Sequence, residues 1–519
     1  MEQIKKTVRA GRIGPGVTDQ FYVDEDINIP EAKYDASRVV YSSGQIHVDE
    51  IRPAEHYARV TGRLAYQILY ETEGGADQLS SLAGRLPFEE MVYMEEEPQD
   101  QLFARGATAE VSVTLINSRK MNLKASVELE IGSEGVSEEQ ITTDMEDESP
   151  LYKKFSEKEI LELCGVQKDV YRIKEEIHLP AAKENIGSLL LGESALRKLD
   201  TRLEEGGLVL RGELQIFCLY ESQNMKTEWV EQSVPFEGRL SCNGAEEEMY
   251  HCVYAALGED SIEARLDEDG EVRIFGVEAS LEVRCCVYRE EKIRILEDLY
   301  APGRRLIPER EETALESLVM QNHSKCRLTE QLSLPEIREG TLQICHSSGF
   351  LQMEPAQMQG GEILAEGVLN VTFLYVRADD EQPFGIWQGM VPFSHSIECG
   401  GASDEMRCDI EGSLEQLSVS LLGSGEAEVK AALSFQVFLR RPEKVENILD
   451  VSEQPVDPKE LENAPGIVGY IVKEGDTLWD LARRYNTTED GIREVNDLKD
   501  GTLRAGERLL IFKANMGIL

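Results

Sequence analysis

The sequence predicts a mainly β protein: three repeated antiparallel β-sandwich-like domains joined by short helices, with a small βααβ module at the end of the chain. Two observations predict this architecture. A strand pattern recurs along the chain at spacings of 150 and 155 residues, too long for a solenoid repeat and typical of a repeated domain. The final segment, from Gly469 to Phe512, changes from a two-residue period to one of about 3.6 residues between two short strands.

Each repeat is centred on a strand that begins with a glycine. The three copies read VTGRLAYQILYE from Val60, LRGELQIFCLYE from Leu210 and AEGVLNVTFLY from Ala365. Every second position is apolar in all three copies: Leu64, Tyr66, Ile68, Tyr70; Leu214, Ile216, Cys218, Tyr220; and Leu369, Val371, Phe373, Tyr375. This alternation predicts that one face of the strand lies in a core, where Cys218 is a plain core residue. The glycine is expected to mark a bulge or a close backbone approach.

The same landmarks surround each central strand in the same order. A short apolar segment ends at Pro30, Pro180 and Pro335, and a Pro-Phe pair follows the strand at Pro87, Pro235 and Pro392. The resulting boundaries are 1–18 for an N-terminal extension, 19–150, 168–306 and 324–452 for the β domains, 151–167 and 307–323 for helical linkers, 453–467 for a flexible linker, 468–513 for the terminal module and 514–519 for a tail.

The segments between the β domains have a helical period. Ser156 and Glu159 form a capping box, so a short helix is predicted over 157–164, and Pro308 is placed to begin a second one. The third junction, 453–466, is polar and holds three prolines. We therefore expect it to be an extended tether that leaves the terminal module mobile.

The terminal module is predicted from its helix caps and apolar faces. Thr477 precedes Asp480 by three residues, which is a capping-box variant, and Thr488 begins a second helix. The inward residues are expected to be Leu478, Leu481, Ala482 and Tyr485 in the first helix, and Ile492, Val495 and Leu498 in the second. Leu509, Leu510, Ile511 and Phe512 supply the closing strand.

This segment closely resembles a LysM module, through YIVKEGDTLWDLARRY, the Asn496-Asp497-Leu498 turn and the ending LRAGERLLI. The family usually binds N-acetylglucosamine glycans and also contains members that bind proteins. The resemblance therefore implies the fold and leaves the ligand open.

Composition excludes several function classes. The chain of 519 residues has 54 basic and 98 acidic residues and a net charge of -44, which argues against nucleic acid and anionic membranes as partners. The amino terminus lacks the apolar region of a secretory signal, and no apolar run is long enough to span a membrane. The ten cysteines include no C-x-x-C pair, so reduced thiols in a cytosol are expected.

No catalytic or metal-binding pattern stands out. The seven histidines are scattered, and the adjacent pairs Cys345-His346 and His251-Cys252 would point to opposite faces of a strand. The acidic runs lack the ligand spacing of a calcium loop. We therefore expect no enzyme, no cofactor and no metal site, but a scaffold whose β domains offer an extended binding surface and whose terminal module adds a further binding site.

As a whole, the repeats and the terminal module resemble the SipL-type spore-coat morphogenetic proteins of clostridia, which have three SPOCS domains followed by a LysM domain. The resemblance rests on the I-x-I-P segment, the G-x-L-x-[YIV]-x-[ICF]-L-Y strand, the P-F pair and the LysM motif. It implies a protein made in the mother cell and placed at the forespore surface, in the spore coat. It also implies that the LysM domain binds the coat-basement ATPase and that the repeats assist coat assembly, with other coat proteins as further partners.

The LysM resemblance also implies a docking groove between the first strand-to-helix loop and the loop before the last strand. Carried onto this sequence, the groove consists of Gly475, Asp476, Thr477, Leu478, Trp479, Asn496, Asp497, Leu503, Arg504, Ala505 and Gly506. Many glycan-binding modules have proline where this chain has Ala505, which argues against sugar recognition. Leu478 is expected in the core, and Trp479, off the apolar stripe, is expected to be a partly exposed anchor.

Two functions from different classes follow. In the first, the chain is an intracellular scaffold whose groove binds a protein; in the second, it binds peptidoglycan of the cell wall or spore cortex. The expected cytosolic location favours the first, because the cytosol holds no polymeric wall glycan. A wall hydrolase with an unrecognised catalytic unit is the least favoured alternative.

Overall fold

The computed structural model describes residues 1–13, 16–73, 79–95, 101–334, 337, 340–378, 383–401, 403, 405–423, 425–455, 465–498 and 502–513. The first unit contains β1 (Glu2–Ile13), β2 (Val17–Asn28), β3 (Ala36–Ala54), β4 (Tyr57–Thr72), β5 (Leu79–Tyr93), β6 (Gln101–Asn117) and β7 (Lys120–Glu146). The second contains β8 (Tyr152–His178), β9 (Ile186–Glu204), β10 (Gly207–Ser222), β11 (Thr227–Ser241), β12 (Tyr250–Leu266) and β13 (Val272–Tyr300).

The third unit and the terminal module follow. The third unit contains β14 (Arg305–Ser333), β15 (Thr341–Met353), β16 (Gln357–Gln359), β17 (Glu362–Arg377), β18 (Phe384–Glu398), β19 (Arg407–Gly423) and β20 (Glu426–Gln454). The terminal module contains β21 (Ile467–Ile471), α1 (Leu478–Arg484), α2 (Glu489–Asn496) and β22 (Arg508–Phe512). No helix in the described ranges is both long and apolar enough to cross a membrane.

Every unit is built from two antiparallel sheets. One sheet has the strand with the repeat glycine in the middle, in the orders β3-β4-β5, β9-β10-β11 and β15-β17-β18, with β16 also pairing β17. This strand begins five residues before the glycine, at Tyr57, Gly207 and Glu362, and not at the glycine as its sequence predicts. In the other sheet of the first unit, β7 is central, with β6 on one side and both β1 and β2 on the other. The second unit has β13 between β12 and β8, and the third has β20 between β19 and β14. The predicted fold class, mainly β with three repeated sandwich-like units and a βααβ module, is confirmed.

The alternating face of each central strand lies in its unit's core, as predicted. Leu214, Ile216, Cys218 and Tyr220 are fully buried, and the corresponding positions of β4 and β17 belong to equivalent cores. Cys218 takes the place of a core isoleucine or phenylalanine, which confirms its assignment as a packing residue.

The glycine inside each central strand and the Pro-Phe pair of the following strand belong to one structural feature. Gly62, Gly212 and Gly367 lie directly opposite Phe88, Phe236 and Phe393 on the neighbouring strand. A Cβ atom at Gly62 would stand 2.4 Å from the carbonyl oxygen of His47 and 2.5 Å from the Phe88 ring. The prediction of a close backbone approach is therefore confirmed, and the phenylalanine ring covers the space that the glycine leaves open.

The three units meet through the opposite face of the same strands. One buried cluster contains a leucine at the same repeat position of each unit: Leu69, Leu219 and Leu374. Val40 and Leu191 belong to the same cluster. A second cluster joins Val8, Ile160 and Leu315, again one residue from each unit's first long strand. The units therefore pack together through shared apolar clusters and are not three separate domains joined only by linkers.

The predicted helical linkers are wrong. Residues 157–164 lie in β8, which pairs with β13 from Tyr152 to His178, and residues 307–323 lie in β14, which pairs with β20. Around Ile160, β8 is buried on both faces. Ile160 packs into the cluster with Val8 and Leu315, whereas Leu161 and Leu163 pack into a different cluster, with Tyr288. Apolar residues on both faces give a spacing that imitates a helix.

The predicted N-terminal extension is likewise part of the repeat. Residues 1–18 fall mostly in β1 and the start of β2, which together pair with β7 in the way that β8 pairs with β13. The predicted domain starts at residues 19, 168 and 324 therefore fall inside strands β2, β8 and β14. Of the proposed tether, residues 456–464 lie outside the described residues, as does the tail 514–519.

Candidate functional site

The terminal module has the capped helices that its sequence predicts. The hydroxyl oxygen of Thr477 accepts a 3.1 Å hydrogen bond from the Asp480 N–H, and that of Thr488 accepts a 2.9 Å bond from the Gly491 N–H. Leu478, Leu481, Ala482 and Ile492 are buried, as expected. Val495, predicted to point inward, is 44% exposed, because α2 turns that position away from the small core.

The two groove loops lie side by side because the strand ends pair. The Gly506 N–H donates to the Val472 carbonyl at 2.8 Å, and the Val472 N–H donates to the Glu507 carbonyl at 2.9 Å. Gly475 and Gly506 both have φ near +87°, in the left-handed region that favours glycine. Apart from each glycine's neighbours in the chain, no atom of the described residues lies within 4 Å of a Cβ position at Gly475 or Gly506, so both loops have open space for a ligand.

Several predicted groove residues are occupied in holding the loops together. The carboxylate of Asp476 accepts hydrogen bonds from the Lys473 N–H at 2.7 Å and the Tyr470 hydroxyl at 2.8 Å, and these bonds lower the pKa of Asp476. The Asn496 side chain bonds both backbone groups of Leu510, at 2.7 and 2.8 Å. Both bonds to Asp476 go to the same carboxylate oxygen, and together with the Asn496 bonds they hold the loops of the groove in place.

The remaining predicted groove residues divide into core and surface. Leu478 is 5% exposed, and Leu503 packs against the same core. Asp497 caps α2 in the left-handed conformation, with φ of 52°. Arg504, Ala505 and Gly506 are exposed, so the loop before β22 gives the groove its free surface.

Trp479 points away from the groove loops, toward the body of the protein. Its indole N–H donates a 2.9 Å hydrogen bond to Asp298, and its ring meets the Tyr300 ring edge to face with centroids 4.8 Å apart. The structure therefore separates Trp479 from the rest of the predicted groove. It also brings the module into direct contact with β13, where the sequence predicted a free, mobile module.

Asp298 is central to this contact. One of its carboxylate oxygens accepts from Trp479 and, at 2.7 Å, from the Arg483 guanidinium; the other accepts from Arg310 of the body at 3.0 Å. The neighbouring Tyr300 donates its hydroxyl hydrogen to the Thr487 carbonyl at 3.1 Å. Sequence reasoning missed these partners, since they lie about 180 residues from the module and carry no local motif.

A second candidate site is a cavity of about 1030 Å³ where the three units meet. The Glu193 carboxylate at its wall accepts hydrogen bonds from the Tyr41 hydroxyl at 2.5 Å and the His346 ring at 2.9 Å, so one residue from each unit takes part. Burial raises the pKa of Glu193, but these bonds outweigh burial and lower it overall. His346 also stacks on Phe217 at 3.9 Å. This arrangement links the units.

Cys345 and His346 have different surroundings, as the strand geometry predicts. Cys345 is buried in the apolar cluster between units, whereas His346 faces Glu193. In the part of the chain that the structure describes, no group of three or more His, Cys, Asp or Glu side chains is placed to hold a metal ion.

Comparison with protein families agrees with this architecture. A LysM domain is matched over residues 470–512, and the SipL, SPOCS domain over residues 185–264 and 342–422. The two SPOCS matches cover β9 to β12 of the second unit and β15 to β19 of the third, and the first unit has the corresponding strands in the same order. No solved structure matches the chain.

These matches concern binding domains rather than catalytic ones. Together, the SPOCS and LysM domains indicate a spore-coat-related protein that carries a domain of the glycan-binding type.

Proposed function

We propose that this chain, which carries the domains of a SipL-type protein with LysM at its C-terminal end, is a non-enzymatic scaffold of spore-coat assembly. Its LysM groove loops dock onto the coat-basement ATPase at the forespore surface, in the mother cell. The three β units assist localisation and bind other coat proteins.

The observation that carries this proposal is the orientation of the LysM domain. Its α1 face is held against the body through Trp479 and Asp298, whereas Arg504, Ala505 and Gly506 of the groove are exposed. The domain therefore presents the groove outward from a large β body, an arrangement suited to a macromolecular partner.

The side chains of the groove favour a protein over a sugar. Asp476 and Asn496 already make hydrogen bonds within the domain, so less of their bonding capacity is left for sugar hydroxyls. Ala505 and the partly buried Leu503 present apolar surface instead.

Glycan binding is the alternative function, and one observation favours it. The open space at Gly475 and Gly506 would admit a sugar ring close to both loops. Under this alternative the protein binds peptidoglycan of the wall or cortex.

A capture experiment separates the two functions. The full chain is co-expressed with the ATPase and pulled down, alongside a variant with Ala505→Trp, which fills the groove. We expect this variant to lose capture at least about tenfold, corresponding to roughly 1.4 kcal/mol. Val495→Trp is the matched control, because Val495 is exposed on α2 of the same domain and outside the groove loops.

Two results would contradict the scaffold proposal. Capture that survives deletion of residues 468–519 would show that the LysM domain is not the docking element. Saturable pelleting of the full chain with purified peptidoglycan, abolished by Ala505→Trp while ATPase capture is unchanged, would favour the glycan alternative.

A further inference from the structure

We propose that the α1 face of the LysM domain, formed by Trp479, Arg483 and the Thr487 carbonyl, is a second interaction surface distinct from the groove loops. In the structure the body occupies this face with a carboxylate and a tyrosine ring. A partner that binds here presents an acidic residue close to an aromatic one and displaces the body. The inference rests on the proposed function, since it concerns how the same domain captures a protein.

The chemistry of the face follows from its present occupant. An indole N–H and a guanidinium converge on one carboxylate oxygen of Asp298, at 2.9 and 2.7 Å. Such bonds are charge-assisted and select a carboxylate over a neutral acceptor. The Tyr300 ring adds an edge-to-face contact with Trp479, and its hydroxyl donates to the Thr487 carbonyl.

The contact can open without leaving an unpaired buried charge. Asp298 keeps its 3.0 Å bond to Arg310 when the LysM domain moves away. Arg483 is 40% exposed even in the docked state, so water can solvate it after release. Tyr300 retains its stacking on Tyr152, whose ring lies 5.2 Å away. The loss falls on Trp479, which becomes available to a partner, and on Tyr300, which is 4% exposed and packs in one cluster with Leu481 and Ile492 of the LysM domain.

Tryptophan and arginine are among the side chains most enriched at binding hot spots, and here both lie on a short helix that the body contacts through Asp298 and Tyr300. A partner using Trp479 would bind only the released fraction of molecules, so its apparent affinity falls in proportion to that fraction. Weakening the internal contact should therefore strengthen capture, the reverse of the usual effect of removing a hydrogen bond.

Docking is tested first, without any partner, by the fluorescence of Trp479. Trp229 and Trp387 are replaced by phenylalanine, which leaves Trp479 as the single tryptophan. We expect Asp298→Asn to shift the Trp479 emission to longer wavelength, since the indole becomes exposed to water. Glu297→Gln is the matched control: it removes the same charge from the adjacent residue, which pairs with Lys154 and not with the LysM domain. Tyr300→Leu provides a second release variant, and thermal melting confirms that each variant folds.

The partner's chemistry is tested with a peptide of residues 295–303, ILEDLYAPG, which carries the acidic and aromatic pair. In the Asp298→Asn chain we expect this peptide to shift the Trp479 emission back toward shorter wavelength. A peptide with asparagine for the aspartate and alanine for the tyrosine should have no effect. Equal responses to both peptides, or none to either at millimolar concentration, would overturn the assignment of an acidic and aromatic partner.

The capture assay then links the face to function. We expect Asp298→Asn to bind the ATPase about tenfold more tightly than Glu297→Gln does. Equal capture by these two variants, with capture still abolished by Ala505→Trp, would refute competition at this face and leave the groove function intact. Absence of capture by every variant would refute the proposed function, while the fluorescence result would still decide whether the domain is docked.

Discussion

The carboxylate of Glu193 in the second unit accepts a 2.5 Å hydrogen bond from the hydroxyl of Tyr41 in the first unit. The same carboxylate accepts a bond from His346 of the third unit, so three repeats of one ancestral pattern meet at a single charged group. Only one unit supplies a carboxylate at this position: the corresponding residues of the other two are Ser43 and Ser348. The repeats are therefore not interchangeable, and their order around the junction is specified by their side chains.

Glu193→Gln should destabilise the protein by about 2 kcal/mol, because both bonds to Glu193 are charge-assisted and largely buried. Urea denaturation at pH 7 measures the change. Glu25→Gln, which removes a charge from an exposed position on β2, serves as the control and should have little effect. Equal stabilities of the two variants would mean that the junction contributes nothing to the assembly of the units.

The effect of Glu193→Gln should depend on pH. The pKa of Glu193 is lowered in the folded protein, so its contribution is fully present above the unfolded carboxyl pKa of about 4.3 and is lost as pH falls through the folded value. The difference in unfolding free energy between wild type and variant should therefore shrink below about pH 4. A difference that stays constant down to pH 3 would contradict this assignment.

Glu411 should show the opposite pH dependence. Burial, with the nearby Glu130, raises its pKa to about 8. The folded state therefore holds a proton that the unfolded state releases above about pH 4.3, and stability falls as pH rises toward 8. We expect Glu411→Gln, which imitates the protonated form, to be more stable than wild type by about 2 kcal/mol at pH 8.5 and equal to it near pH 4. Denaturation curves at the two pH values test this.

Gly62→Ala should cost about 1–3 kcal/mol, because the added Cβ meets both the His47 carbonyl and the Phe88 ring. Gly165→Ala is the control: Gly165 also lies in a strand, and no atom stands within 4 Å of its Cβ position. Thermal melting of the two variants should show a loss for Gly62→Ala alone. Comparable melting temperatures would mean that the ring moves aside at no cost.

Much of the architecture could be predicted from the sequence. Period-two alternation identified the core face of each central strand, and the capping residues Thr477 and Thr488 fixed both helix starts. The long strands β8 and β14 could not be recognised, because each has a short segment with apolar residues on both faces, around Ile160 and around Leu315, where the two-residue period is lost. The LysM resemblance also assigns Trp479 to the groove, whereas the structure turns its side chain toward Asp298.

The sequence by itself determined the local elements: three repeats, the faces of their central strands, and a terminal module with two capped helices. These depend on periodicity and on hydrogen bonds between residues a few positions apart. Only the tertiary structure decided how the pieces meet, through Glu193 with Tyr41 and His346 and through Asp298 with Trp479 and Arg483. The physical reason is that the spacing of apolar residues along the sequence indicates which side chains are buried. Which residues they contact depends on the packing of segments more than 100 residues apart.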